Sequence, residues 1–393
     1  MKIQVGVFFG GRSVEHEVSI ISAMQACAAL DREKYTPVPV YITKQGLFYT
    51  GPSYGDIAAY RDIPALLAAG SSVTLMPDGA GRAVLSRWPA RRLGGNELAV
   101  LDAALPVVHG TNAEDGTLQG YLEMLGLPYA GPDVLSSAVC MDKAVSKSLL
   151  AAAGIPVLPG CTWTDTAWGA RPDALMDELA LRFGFPVVVK PVNLGSSVGV
   201  TKAADRAALR AAADLAFRFA PKVLIEPAVV RLREINCAVL GDAGAARASA
   251  CEEPLSAGEI LSYGDKYLSG GEADKGMGGA ARRVPADLAP ALRDHIQALG
   301  VHTFQTLGCQ GVARVDFLLD CDKNQVYVNE INTIPGSLSF YLWEPVGLSF
   351  GALLDEMLSL AFKRHRQRAA LSFTYESNIL AGAGLGVKGG AKR

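Results

Sequence analysis

The segment GVARVDFLLDCDKNQVYVNEINTIPG, residues 311–336, holds acids, an arginine and an amide that a folded backbone could bring together. Two apolar runs of strand character flank the polar stretch Cys321–Asn324 and read as a β-hairpin. Centred near position 323, it pairs residues whose numbers sum to about 646, setting Asp316 opposite Glu330 and Arg314 opposite Asn332. Strand side chains alternate, so all four share one face, with opposed residues roughly 4.5–5.5 Å apart. Two opposed carboxylates repel unless something positive lies between them. A hard cation such as Mg²⁺ meets that need, taking a few carboxylate or amide oxygens and its remaining ligands from phosphate and water. A hydrated surface hairpin, one residue out of this register, is the competing reading. The turn Asn332-Thr333-Ile334-Pro335-Gly336 favours a site, because an abrupt turn exposes backbone N–H groups beside the acids.

Three other stretches could meet an anion or an ammonium group. Asn193–Gly199, which contains Ser196 and Ser197, could cradle phosphates with backbone N–H groups, and Lys190 stands just before it at a strand end. The stretch departs from G-x-x-x-x-G-K-[ST], so no Walker loop is implied, and most Gly/Ser loops are ordinary turns. Lys143, in a helical pattern, suits either a solvated position or a ligand. Gly10-Gly11-Arg12-Ser13-Val14-Glu15 offers a turn and a helix start to an anion or, through Glu15, to an ammonium group. It lacks the G-x-G-x-x-G spacing and the downstream acid of a dinucleotide fold. His109, at a strand end, suits a structural role as well as a site. Tyr263–Tyr267 and the glycine-rich stretch after it suit a solvated loop or a lid that excludes water.

The elements that must position these residues follow from periodicity. Ile3–Phe9 reads as a strand that ends in Gly10-Gly11, with a helix after it that carries Val18, Ile21, Met24 and Ala28. Val38–Ile42 and Ala104–Val108 complete an open α/β unit, whose ligands gather at the carboxyl ends of its strands. Gly51–Asn96 has no clear periodicity. A helix is expected over 136–153, then strands at Val187–Lys190, Val223–Glu226, Glu234–Leu240 and Ala248–Glu252, with a helix near Arg206–Phe219. Lys plus Arg number 37 against 39 for Asp plus Glu, a net charge of −2 that argues against bulk nucleic-acid binding. Only 19% of residues are charged and half are hydrophobic, which suits large cores, and 393 residues suggest two or three domains. The seven cysteines show no metal or disulfide spacing, and no apolar window is long enough to span a membrane, so a reduced, cytoplasmic setting is expected.

Taken together, five ordered stretches resemble the D-alanine–D-alanine ligase family of the ATP-grasp superfamily. They are Gly10–Ser19, His109–Gly116, Met141-Asp142-Lys143, Lys190-Pro191 with Gly195–Gly199, and Arg314-Val315-Asp316 with Glu330–Gly336, covering about residues 2–355. The resemblance implies an α/β and α+β protein of three domains, an N-terminal open parallel-sheet domain (1–131) and two ATP-grasp domains (132–226 and 227–375), followed by a tail at 376–393. It implies ATP, Mg²⁺ with Mn²⁺ as a substitute, and D-alanine as partners, with no nucleic acid and no membrane, and a homodimer paired through the N-terminal region. The product would be D-alanyl-D-alanine for peptidoglycan precursors, formed through D-alanyl phosphate.

Carried over position by position, Lys143, Lys190, Ser196, Ser197 and Lys266 would meet ATP phosphates, and Glu226 and Glu234 the adenosine. Asp316, Glu330 and Asn332 would hold magnesium. Glu15 would bind the first substrate's ammonium and, with Ser196 and Tyr267, join the substrate pocket to the lid. Arg314 and the Gly336 N–H would stabilise the oxyanion, and His109 would border the first substrate. Three positions depart from the family pattern. Pro227 stands where relatives often carry lysine, the lid at 270–283 is long and glycine-rich, and Tyr341 occupies the place of a serine expected to bind the second substrate's carboxylate, with Ser337 or Ser339 as substitutes. D-serine or another amino acid is therefore the alternative acceptor, while Tyr267 favours an amine over a hydroxy acid.

Overall fold

The computed structural model describes residues 2–195, 197–255 and 282–374. Its first sheet is built on β1 (Ile3–Gly10), whose apolar sequence IQVGVFFG is buried along nearly its whole length, as suits a strand covered on both faces. Parallel neighbours flank it, β2 (Tyr35–Ile42) on one side and β7 (Ala103–Pro106) on the other. Beyond β2 the sheet continues antiparallel through β3 (Phe48–Thr50), β4 (Ser71–Pro77), β5 (Ala83–Arg87) and β6 (Glu97–Leu101). The expected parallel sheet is therefore mixed, and β4 and β5 together with the helix Ile63–Ala69 occupy the stretch whose periodicity was weak. Short strands joined by polar turns leave no long repeat to detect.

Gly10 and Gly11 turn the chain out of β1 with φ of 91° and 95°. A Cβ at Gly10 would come 2.3 Å from the Ile42 carbonyl oxygen, so only glycine fits this left-handed corner. The helix His16–Ala29 follows and buries Val18, Ile20, Ala23, Met24 and Cys27. The C-terminal helix Phe350–Ala369 adds Leu353, Leu354, Met357 and Leu358 to the same core, and Tyr35 donates to Asp355 across it at 2.5 Å. Strand β1 and the helix Phe350–Ala369 thus share one hydrophobic core.

A second sheet has the order β10 (Thr201–Ala203), β9 (Val187–Pro191), β11 (Lys222–Pro227), β8 (Cys161–Thr164), all antiparallel. The helix expected over 136–153 is two, Val134–Met141 and Lys143–Ala152, broken at Asp142. The Asp142 carboxylate caps the second by accepting from the N–H groups of Ala144 and Val145 at 3.0 and 3.1 Å. Lys143 consequently opens a helix rather than sitting in the middle of one.

The third sheet, also antiparallel, runs β14 (Arg282–Arg283), β13 (Ala246–Pro254), β12 (Leu232–Gly241), β15 (Gly311–Asp320), β16 (Gln325–Asn332). One of its faces is packed by the helix Pro290–Thr306, which carries Ile296, Leu299 and Phe304 into a core with Ile235, Cys237, Val239, Val315 and Phe317. Alternation sends Glu234, Asn236, Arg314 and Asp316 to the other face. Among the described residues no single helix is long and apolar enough to cross a membrane.

Candidate functional site

The β15–β16 hairpin sets Arg314 opposite Asn332 and Asp316 opposite Glu330, the pairs expected from sequence. Nearer the turn the ladder runs one residue out of step, with Asp320 opposite Gln325 and Phe317 opposite Val328. A bulge at Asn329 takes up the difference; were Asn329 paired in a regular ladder instead, Asp316 and Glu330 would point to opposite sides of the sheet. The bulged residue is itself used, since Lys190 Nζ donates to Asn329 Oδ1 at 2.9 Å.

Asp316 and Glu330 each meet a cation. Arg314 grips Asp316 through two parallel hydrogen bonds of 2.6 and 2.7 Å, and Asn332 Nδ2 donates to the same carboxylate at 3.0 Å. Burial alone would favour a neutral guanidine, but the charge and hydrogen bonds of Asp316 raise the Arg314 pKa further, so it stays cationic. Lys143 Nζ lies 3.0 Å from Glu330 Oε2 and donates to the Leu194 carbonyl at 2.8 Å, tying the hairpin to the loop after β9. No group of three Asp, Glu, His or Cys side chains forms a cage among the described residues. Two carboxylates and an amide fit a magnesium ion that takes its other ligands from phosphate and water, not a closed structural metal.

Beside the hairpin lies a cavity of about 360 Å³ lined by Lys143, Lys190, Ser197, Glu226, Glu234 and Glu330. Its back wall is a buried ionic triad in which Lys147 donates to Glu226 Oε1, and Lys190 to Glu226 Oε2 at 2.8 Å. Burial pushes up the Glu226 pKa, and the two lysines outweigh it and leave the acid ionised. Lys147, which shares that one acid with Lys190, is pulled down by burial to about 8, while Lys190 stays above its ordinary value through the charge of Glu226. Glu226 thus holds lysines with both of its oxygens, a role its sequence did not suggest. Lys147 was missed as well; its signal is the i, i+4 spacing from Lys143 on one helix.

Glu15 is buried at the start of the helix His16–Ala29, against two glycines. A Cβ at Gly110 or Gly195 would lie 3.1 or 3.2 Å from its Oε2 atom, so the carboxylate touches both the loop after β7 and the loop before Ser197. His109 Nδ1 bonds the Ile334 carbonyl at 2.7 Å, and Nε2 meets Ser22 Oγ at 3.0 Å. The Ser337 N–H donates to that hydroxyl at 2.9 Å. Burial lowers the pKa of His109, and its neutral ring donates from Nδ1 and accepts at Nε2. It pins the turn that Gly336 opens, so its visible work is structural. Glu114 was not among the expected site residues. It accepts from the N–H groups of Gly110 and Ile334 at 2.8 and 3.0 Å, and burial together with the charge of Glu15 raises its pKa to about 7.

Tyr341 donates to Glu252 Oε2 at 3.1 Å, and Ser339 Oγ is buried with no hydrogen-bond partner among the described residues. Ser196, Lys266 and Tyr267 lie outside the described residues, as do the tail at 376–393 and most of the expected lid.

These features agree with what the chain is similar to. Residues 4–132 match the family described as D-ala D-ala ligase N-terminus, and residues 149–359 match D-ala D-ala ligase C-terminus. D-alanine–D-alanine ligase A of Escherichia coli is 40% identical over 95% of this chain and 99% of its own length. The same-named protein of Chromobacterium violaceum is 41% identical over 94% and 98%. Among solved structures, the D-alanine–D-alanine ligase of Coxiella burnetii superposes with a TM-score of 0.78 at 33% identity, covering 94% of this chain and 96% of that one. The VanG D-Ala:D-Ser ligase of Enterococcus faecalis gives 0.76 at 30%, covering 92% and 100%. The fold and site define an ATP-grasp protein. The chain belongs to the D-alanine–D-alanine ligase family.

Proposed function

We propose that this protein is an ATP- and Mg²⁺-dependent ligase that joins two molecules of D-alanine for peptidoglycan precursor synthesis. The observation that carries the reading is the row Arg314, Asp316, Glu330 and Asn332 on one sheet face, beside a cavity lined by Lys143 and Lys190. In this reading Glu15 holds the ammonium group of the first D-alanine, whose carboxylate oxygen attacks the γ-phosphorus of ATP while ADP leaves. Lys143 and Lys190, fixed by Glu330 and Glu226, align the phosphates, since phosphoryl transfer depends on positioning and charge neutralisation. Asp316, Glu330 and Asn332 would hold magnesium, which would supply charge neutralisation for the transferring phosphate. The amine of the second D-alanine then attacks the acyl carbon. Arg314 and the Gly336 N–H stabilise the oxyanion, phosphate departs, and the amine loses a proton to give the peptide bond. Ser196, Lys266 and Tyr267 complete the set as contacts to phosphate and to the first substrate. A cytoplasmic homodimer belongs to the same reading, and light scattering on the purified protein checks the dimer.

The deciding assay is ADP release with D-alanine, L-alanine, D-serine or D-lactate. D-alanine alone should support turnover, and no D-alanine-dependent ADP would overturn the reading. The Tyr341 hydroxyl is bound to Glu252, which keeps D-serine open as the acceptor. Preferential formation of D-alanyl-D-serine from a mixture would establish it.

A further inference from the structure

The face that carries the magnesium set continues across the sheet. Glu330, Asp316, Asn236 and Glu252 stand side by side on four neighbouring strands. Arg282 is opposite Pro254, two residues from Glu252, so it lies on the same face. From Asp316 to Glu252 is two strand spacings, roughly 10 Å. An arginine side chain and a small amino acid together can bridge that span.

Arg282 differs from the other cations here. Lys143, Lys147, Lys190 and Arg314 each hold a carboxylate at hydrogen-bonding distance. The Arg282 guanidinium lies 4.1 Å over the ring of Tyr341, and its nearest acidic contact, Glu252, is 3.8 Å away. Glu252 already accepts from Asn236 Nδ2 and from the Tyr341 hydroxyl, both at 3.1 Å. The Arg282 side chain keeps 21% of its surface exposed, against 6% for Glu252. Among the described residues it therefore has a stacked face and a distant countercharge, but no hydrogen bond. Stacking on an aromatic ring leaves the in-plane N–H edge of a guanidinium open, and that edge matches a carboxylate bidentately.

We infer that Arg282, carried on Tyr341 and oriented by Glu252, binds the carboxylate of the amino acid whose amine attacks, and so selects acceptors that carry an α-carboxylate. The inference rests on the ligase reading above. Glu252 compensates the guanidinium when no acceptor is bound. Tyr341 supplies an apolar platform that holds its plane toward the reacting centre without competing for its donors.

The test is a partition measurement on the full-length protein with ATP, Mg²⁺ and an equimolar mixture of D-alanine and D-alaninamide. D-alanine alone can serve as first substrate, because the amide lacks the carboxylate that is phosphorylated. Either can then supply the amine. Mass spectrometry of D-alanyl-D-alanine against D-alanyl-D-alaninamide gives the acceptor preference, a ratio that does not depend on how much enzyme is folded. Wild type should favour the free acid. Arg282→Met should shift the ratio toward the amide by about tenfold or more, the loss of a charge-assisted hydrogen-bonded pair, with the KM for ATP unchanged. Arg282→Lys should restore part of the preference, Tyr341→Leu should reduce it, and Tyr341→Phe, which keeps the stack, should leave it intact. A wild-type ratio in Arg282→Met would overturn the inference. Should that variant make neither product, the Arg282→Lys ratio decides, and an unchanged ratio there is equally fatal. If wild type makes neither product, it is the ligase reading that fails.

Discussion

Glu330 and Lys147 show how side chains one layer apart carry different consequences. Glu330 faces both Lys143 and the cavity, so Glu330→Gln keeps the shape and removes a charge from the proposed metal set. Turnover should fall about a hundredfold or more, and a Mg²⁺ titration of ADP release should show a raised metal requirement; near wild-type rates across the titration would remove Glu330 from the metal set. Lys147 is covered from solvent and its partner Glu226 is fully buried. Lys147→Met strips one of two cations from that acid and should cost about 3–5 kcal/mol of stability, read as a loss in denaturant midpoint. An unchanged midpoint would mean that Lys190 alone satisfies Glu226. Asp316 and Glu330 were legible in the sequence because a hairpin converts spacing into contact. The role of Glu226 was not, because its partners come from a helix and from a neighbouring strand, and no local pattern joins residues 147, 190 and 226.

For the elements, the informative feature is the bulge. A turn at Cys321–Asn324 read by spacing alone gives a register good to about one residue, and one residue decides which face a side chain takes. The expected pairing holds at Asp316 and Glu330 because Asn329 is inserted between them and the turn, while at the turn the ladder is offset by one. Deleting Asn329 should regularise the hairpin, with Glu330 following Val328 directly and still opposite Asp316, and remove the oxygen that Lys190 bonds. The expected result is activity close to that of Asn329→Ala, which removes the same oxygen, with circular dichroism confirming retained strand content. A deletion variant far less active than Asn329→Ala would show that the bulge shapes the site beyond the register it sets. The helix break at Asp142 was hidden for a related reason: an N-cap aspartate between two apolar helical runs leaves the hydrophobic periodicity almost unbroken, so a sequence reader merges them.

At the level of the whole molecule, the N-terminal sheet and the turn after β16 are joined by polar contacts more than 200 positions apart in sequence. His109 bonds the Ile334 carbonyl and Glu114 the Ile334 N–H, both from the loop that follows β7. Such contacts are invisible to periodicity, yet they place Glu15 and Arg314 in one site. They also make the junction sensitive to pH. The Glu114 pKa rises from 4.5 to about 7 on folding, chiefly through burial and then through the charge of Glu15. A carboxyl whose folded pKa is raised contributes stability that is fully present below the unfolded value and is lost as pH rises through the folded one, because the folded state binds the extra proton. His109, lowered by burial, acts oppositely as pH falls below its ordinary value of 6.5. A comparison with Glu114→Gln cancels that contribution and isolates the acid. The variant should be less stable at about pH 5, since glutamine offers one acceptor oxygen where Glu114 uses two, and either the Gly110 or the Ile334 N–H loses its partner. The wild-type advantage should then shrink by on the order of 2–3 kcal/mol toward about pH 8, measured as the difference in denaturation free energy between the two proteins. A difference that stays constant over that range would mean that Glu114 is ionised throughout and that the junction is held by its hydrogen bonds alone.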